Sequence, residues 1–283
     1  MIYDVAGPYL NRLMQEKSFP MSCLTASFGA QILQITSSSY GDIFYLSPIE
    51  VPHKSRRGGV PILFPQFAEY GKLVKHGLVR NAEWTQVTHI DNSTFKTIEY
   101  QLNIAPGDYP DWPHSAQLNY VLTLHDHRVE INFTIINTGN DSFAFTGGLH
   151  PYFAVENIFS AKVIGLEGLN ANDRYNPSFQ SQIDFELTFD GSEFERLYSK
   201  APDLELHCED KKIKLSTQGF DQWMIWNPGK IGAEALLDLP EGDWQKFICI
   251  EPVCVENQII LMPTKSFSGE LLIEWPYSAY LNN

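Results

Sequence analysis

Between residues 117 and 137 apolar and polar side chains alternate almost without a break. Leu118, Tyr120, Leu122 and Leu124 lie two apart, Asp126, His127 and Arg128 interrupt them, and Val129, Ile131, Phe133 and Ile135 resume the period. Asn137-Thr138-Gly139-Asn140 ends it. A period of two puts every apolar side chain of a run on one face of an extended strand, and turn residues between two runs make a hairpin with one buried face. Such a face needs a second apolar layer to cover it. Shorter runs of the same kind occur at 28–37, 42–46, 95–102, 211–216, 223–226, 247–255 and 270–275, punctuated by Gly, Pro, Asn and Asp. Helical periodicity is weak, with 10–17 and 232–239 as short candidates. The pattern predicts an all-β chain: a large antiparallel two-sheet β-sandwich with few short helices, folded as one domain over residues 1–283.

Composition narrows the function. A net charge of −14 repels the phosphates of nucleic acid, which is therefore not an expected partner. No run approaches the roughly 18 uninterrupted apolar residues of a membrane helix, and the opening residues lack the basic and apolar regions of a signal peptide. Cys23, Cys208, Cys249 and Cys254 form no CxxC pair, which fits reduced thiols in a cytoplasmic protein. The sequons at Asn92, Asn132 and Asn140 carry no meaning in that compartment. GxGxxG, Walker, HExxH and GxSxG motifs are missing from the sequence, so dinucleotide, nucleoside-triphosphate, zincin and α/β-hydrolase chemistries have no support. His125 and His127 put two imidazoles at one strand end, but beside Asp126 they read as a solvated turn. No metal or organic cofactor is expected, and the chain is expected to act as a monomer.

Three segments are less ordinary. Lys54, Arg56, Arg57, Lys72, Lys75 and Arg80 lie between His53 and Arg80 against Glu69 alone. A cationic stretch in an acidic protein is either a solvated loop or an anion site. Arg57 precedes Gly58-Gly59, and Arg80 follows His76 closely. Arginine forks bind phosphate through charge-assisted, often bidentate hydrogen bonds, and glycine lets backbone approach a ligand closely. A tight turn leading into a core strand is the alternative for that segment. His150 stands between Gly147-Gly148 and Pro151, where the chain must bend. Glu251 sits in the middle of the apolar run 247–255, and a carboxylate there is costly to bury unless it is paired or used. One histidine and one carboxylate are the least that paired acid–base work on a sugar requires. Phe64, Tyr152 and Trp226 offer aromatic surface for the apolar face of a pyranose.

Five pieces taken in order resemble the aldose 1-epimerase family, in its hexose-6-phosphate mutarotase branch. They are Arg57-Gly58-Gly59-Val60-Pro61 with Phe64-Pro65, His76-Gly77 with Arg80-Asn81 and Trp84, Leu149-His150-Pro151-Tyr152-Phe153, Trp226-Asn227-Pro228-Gly229, and Cys249-Ile250-Glu251-Pro252. The resemblance implies a supersandwich with a small sugar or sugar phosphate in a cleft on a concave sheet face. It implies interconversion of the α and β anomers of a hexose 6-phosphate, glucose 6-phosphate above all, with Glu251 as general base and His150 as general acid. His76 then contacts the sugar near the reacting atoms, and Arg57 and Arg80 hold the phosphate. Phe64, Gln66 and Tyr152 are expected on the sugar as well, and so is Asp221, with one departure. The family places an aspartate four residues before the tryptophan of Trp-Asn-Pro, which here is Gln222. Asp221 lies one step earlier and points to the opposite face unless a bulge corrects the register. Two alternatives stand beside this reading. One is an epimerase of unphosphorylated hexoses, in which Arg57 and Arg80 pair with protein carboxylates. The other is a sugar-binding protein without catalysis. A glycoside hydrolase is disfavoured, because the sequence offers no second carboxylate in a comparable apolar setting to form the usual pair.

Overall fold

The computed structural model describes residues 10–13 and 19–276. The hairpin read from the alternation is present as Ala116–His125 and Arg128–Asn137, with Leu118 opposite Ile135, Tyr120 opposite Phe133 and Leu122 opposite Ile131. It forms the middle of a nine-stranded antiparallel sheet. Lys96–Ile104 and Thr85–Asp91 extend this sheet on one side, and Ser266–Glu274, Lys211–Gln218, Leu204–Cys208, Ala161–Ile164 and Glu186–Thr188 on the other.

A seven-stranded sheet covers its apolar face. It runs from Ile62–Leu63 through Phe143–Leu149, Phe247–Leu261, Gln222–Asn227 and Phe194–Tyr198 to Ala171–Asp173, and Tyr152–Ala154 pairs separately with Phe247–Leu261. Rings interlock between the layers, Phe64 with Phe133 at 6.4 Å and Phe145 with Phe267 at 5.5 Å. Each such side chain contributes about 1.5–3 kcal/mol by its burial. Leu10–Leu13, Met21–Ala26, Ile32–Ser37 and Gly41–Asp42 make a third, four-stranded sheet.

Several expected elements shift, for local reasons. Leu10–Leu13 is a strand paired with Met21–Ala26 and not the start of a helix; residues 14–17 of that candidate lie outside the described residues. The run 28–37 begins as a strand only at Ile32, because Gly29 and Ala30 take left-handed φ values of 73° and 45°. The one α-helix among the described residues is Gly229–Ala233, upstream of the expected 232–239. Asn227 starts it by accepting the Gly229 N–H at 2.9 Å, and beyond Ala233 the chain continues as turns toward Leu239. Among the described residues no helix is long and apolar enough to cross a membrane.

Phe247–Leu261 is buried on both faces over its first nine residues. Ile248, Ile250 and Cys254 join the main core, whereas Val253 and Val255 belong to a smaller cluster with Leu63, Phe67, Ala68, Leu197 and Met224. Glu251 stands opposite Met224 of this smaller cluster, so it points to the second face of the sheet.

Candidate active site

Cross-strand register assembles the floor of a cavity of about 300 Å³, within the range of small-molecule sites. Met224 stands opposite Glu251, Trp226 opposite Cys249 and Glu195, and Tyr152 opposite Cys249. His150 follows directly on Phe143–Leu149, whose Gly147 and Gly148 pass so close to neighbouring strands that a side chain has no room. A Cβ on Gly148 would lie 2.3 Å from the Pro252 carbonyl, and one on Gly147 would lie 2.3 Å from that of Leu63. The glycines therefore press His150 against the strand that bears Glu251. Its Nε2 lies 3.5 Å from Glu251 Oε1, while His150 Nδ1 and Glu251 Oε2 are buried with no hydrogen-bond partner.

Aromatic rings fix the imidazole. Tyr152 stacks on His150 with centroids 4.8 Å apart and planes at 10°, and Trp226 meets it edge-on at 5.9 Å. His76 packs edge-on from the far wall at 5.4 Å. It adopts a φ of 66°, a conformation that non-glycine residues hold only when surrounding structure imposes it. The imposing contacts are its own N–H to Ala68 O (2.9 Å) and the Ala68 N–H to His76 Nδ1 (3.3 Å). An accepting Nδ1 puts the proton of the neutral ring on Nε2.

Burial governs the ionisable groups. It pushes the Glu251 carboxyl well above the usual carboxylate range, with Glu195 adding to the effect. It pushes His150 down to about 3, helped by the charges of Arg80 and Arg57. Burial, then His150 and Arg80, hold His76 neutral far below its ordinary value. Both shifts favour the uncharged forms, a protonated Glu251 and a neutral His150.

Five basic side chains line the cavity, Arg56, Arg57, Lys75, Arg80 and Arg174, against the carboxyl groups of Glu195, Asp238 and Glu251. Arg57 donates from Nε to Asp238 Oδ1 at 2.7 Å and from Nη1 to Tyr152 Oη at 3.3 Å. Arg56 pairs with Glu50 at 2.8 Å and Arg174 with Glu195 at 3.2 Å. Arg80 donates to the Lys75 carbonyl at 3.0 Å, its Nε is buried without a partner, and among the described residues no carboxylate lies within ion-pair distance of it. His150, Cys249 and Glu251 bring three potential metal-ligand atoms within 4.8 Å of one another. The surrounding basic groups oppose a cation there, and burial holds the Cys249 thiol protonated.

Of the residues singled out in the sequence, His150, Glu251, Arg57, His76, Arg80, Tyr152 and Trp226 meet on this cavity. Three do not. Phe64 is fully buried in the main core, among Trp112, Phe133 and Phe145. Gln66 lies behind the His76 loop, donating to the Ala68 and Leu73 carbonyls and accepting the Leu73 N–H. Asp221 accepts from Asn257 at the end of its strand, away from the cavity, and Gln222 is engaged with Glu256 and the Val255 N–H. The glycines after Arg57 also serve another purpose than ligand approach. A Cβ on Gly59 would lie 1.9 Å from the Ile32 carbonyl, so they let this segment thread against neighbouring backbone. Asp238, Glu195 and Arg174 were not singled out in the sequence. Glu195 had one available signal, its place in the short run Phe194–Tyr198, whose register sets it opposite Trp226.

Comparison with known proteins identifies the family of the chain. A protein of Cenchrus ciliaris provisionally named glucose-6-phosphate 1-epimerase is 29% identical over 272 residues, covering 89% of this chain and 81% of its own. An Escherichia coli protein with the same provisional name is 26% identical over 232 residues, covering 79% of this chain and 76% of its own. A crystal structure from Salmonella typhimurium, provisionally described as a mutarotase, superposes with a TM-score of 0.84 at 23% identity, over 97% of this chain and 95% of that one. At that identity it shows the fold, a galactose mutarotase-like β-sandwich. The family model described as aldose 1-epimerase matches residues 17–274. The chain belongs to the aldose 1-epimerase family, and it is an isomerase of that class.

Proposed function

We propose that this protein is a mutarotase that interconverts the α and β anomers of a hexose 6-phosphate, glucose 6-phosphate above all. The observation that carries the acid–base part is the buried His150–Glu251 pair, 3.5 Å apart, which lines a sugar-sized cavity and leaves one polar atom on each residue without a partner. Ring opening needs a base at the anomeric hydroxyl and an acid at the ring oxygen. With the shared proton on His150, ionised Glu251 takes the hydroxyl proton while His150 donates to the ring oxygen. The bond between C1 and the ring oxygen breaks, the aldehyde turns about C1–C2, and the ring closes on its other face as the two groups exchange roles. Each proton transfer contributes about 10²–10⁴-fold. His76, neutral and with its proton on Nε2, serves as a hydrogen-bond donor to a sugar oxygen.

The phosphate assignment draws its support from Arg80, a half-buried cation with no carboxylate within ion-pair distance among the described residues, next to Arg57 in a cavity richer in basic than acidic groups. One observation favours an epimerase of unphosphorylated hexoses: Arg57 already has a carboxylate partner in Asp238. Two-dimensional exchange NMR separates the readings by comparing glucose 6-phosphate with glucose and galactose. Faster anomer exchange for the phosphosugar alone is the expected result. Acceleration of the free sugars alone assigns the second reading. Binding of glucose 6-phosphate without acceleration of any sugar makes the protein a non-catalytic binder.

A further inference from the structure

Ring opening requires a proton on His150 and a charge on Glu251, yet the surroundings of the pair push each group toward its uncharged form. Burial is the larger cause for both groups, and the charges facing His150 add to it. From the 247–261 strand comes Glu251, itself opposed by Glu195. From the segment 75–80 come His76, Lys75 and Arg80; from the segment before Gly58 comes Arg57, in contact with the Tyr152 hydroxyl whose ring stacks on His150. Cys249 below is neutral. Positive charge therefore dominates on the His150 side: Arg57 is paired with Asp238 and Lys75 with Glu69, whereas among the described residues no carboxylate lies within ion-pair distance of Arg80.

We propose that the substrate's phosphate is an electrostatic switch as well as a handle: by neutralising Arg57 and Arg80 it lets the shared proton pass from Glu251 to His150. This inference rests on the phosphosugar reading above. The step is balanced, because one O–H bond at Glu251 Oε1 breaks, one N–H bond at His150 Nε2 forms, and no proton enters or leaves. The two atoms are already 3.5 Å apart. Arg80 and Arg57 are the principal charges that depress His150, so a dianion placed on them acts on the group that must be protonated. For a group titrating far below the working pH, each unit of upward shift raises its protonated fraction about tenfold.

A consequence follows for substrates in two pieces. A free dianion bound at Arg57 and Arg80 should activate the enzyme toward a sugar that carries no phosphate. The test is exchange NMR on glucose with and without phosphite, after subtraction of the protein-free rate at each phosphite concentration, with glucose 6-phosphate as the reference substrate. Phosphite is expected to raise kcat/KM for glucose about tenfold or more, saturably, and to inhibit exchange of glucose 6-phosphate competitively. The variant Arg80→Gln is expected to lose this activation and to exchange glucose faster than wild type without phosphite, since a charge opposing His150 is gone. Misfolding cannot produce that gain. If phosphite inhibits glucose 6-phosphate exchange yet leaves glucose exchange unchanged, the switch is overturned and the phosphate is a handle only. An Arg80→Gln variant that slows both sugars in parallel overturns it as well. If glucose 6-phosphate is exchanged no faster than glucose and phosphite has no effect on either, the phosphosugar reading fails and takes the switch with it.

Discussion

In the base role proposed for it, Glu251 sets function against stability at the scale of one residue. In the unfolded chain a glutamate ionises near pH 4.3, roughly, whereas in the fold burial keeps this carboxyl protonated to higher pH. Between those two values the folded state binds more protons than the unfolded one, so stability falls as pH rises. An amide of the same shape escapes that loss. Glu251→Gln is expected to gain about 1 kcal/mol or more near neutral pH, with the gain shrinking toward about pH 4, and to lose about 10²–10⁴-fold in exchange rate. Thermal melts across pH, set beside NMR rates, check both; a variant with near-wild-type rates removes Glu251 from the base role. His150 works with the opposite sign. Its folded value of about 3 lies below an unfolded value near 6.5, roughly, so its stabilising contribution is present above 6.5 and is lost as pH falls toward 3. Replacing it with Gln should flatten the acid side of the melt profile. Both residues were legible because each breaks its surroundings, a carboxylate in an apolar run and a histidine in a glycine-proline bend. Asp238 was not. Nothing in Leu236-Leu237-Asp238-Leu239-Pro240 marks it, and its role arises only from contact with a residue 181 positions away.

At the scale of elements, the strands were legible and the loops that complete the site were not. Alternation read the hairpin 117–137 nearly to its ends, because one face is wholly buried and the other is not. The segment 64–80 has no such period. Its course depends on Gln66, read in the sequence as a sugar contact, which holds Leu73 and Ala68 from within and so sets the loop that carries His76. Gln66→Ala is expected to speed hydrogen exchange at the Leu73 amide by about five- to thirtyfold, the effect of losing 1–2 kcal/mol of hydrogen bonding. The rest of the sheet should stay protected while anomer exchange falls. Unchanged protection at Leu73 would show that the loop is held by other contacts. Gly148→Ala tests the opposite wall. Its Cβ would meet the Pro252 carbonyl at 2.3 Å, and overpacking of this kind costs about 1–3 kcal/mol. Because the clash lies beside both His150 and Glu251, the exchange rate should fall together with the melting temperature.

Across the whole molecule, charge is divided by depth. The chain carries −14, while the cavity is lined by five basic groups and three acidic ones. The sequence hinted at this inversion through the basic stretch 53–80, but only folding selects which of its members reach the cavity: Arg56, Arg57, Lys75 and Arg80 do, and Lys54 and Lys72 do not. A dianionic sugar approaching from solvent meets the field of a chain of net charge −14 before it reaches Arg57 and Arg80 in the cavity. Salt acts differently on the two. At low ionic strength, about 0.01 M, the Debye length is about 30 Å and the whole acidic surface repels the substrate; near 0.1 M it is about 10 Å, and partly buried contacts are screened much less. Raising sodium chloride over that range should therefore increase kcat/KM for glucose 6-phosphate by about two- to threefold, while kcat at saturation and the rate with unphosphorylated glucose stay level. A decrease would mean that the cavity's own field extends beyond its mouth and already steers the substrate, and that the acidic surface has no part in capture.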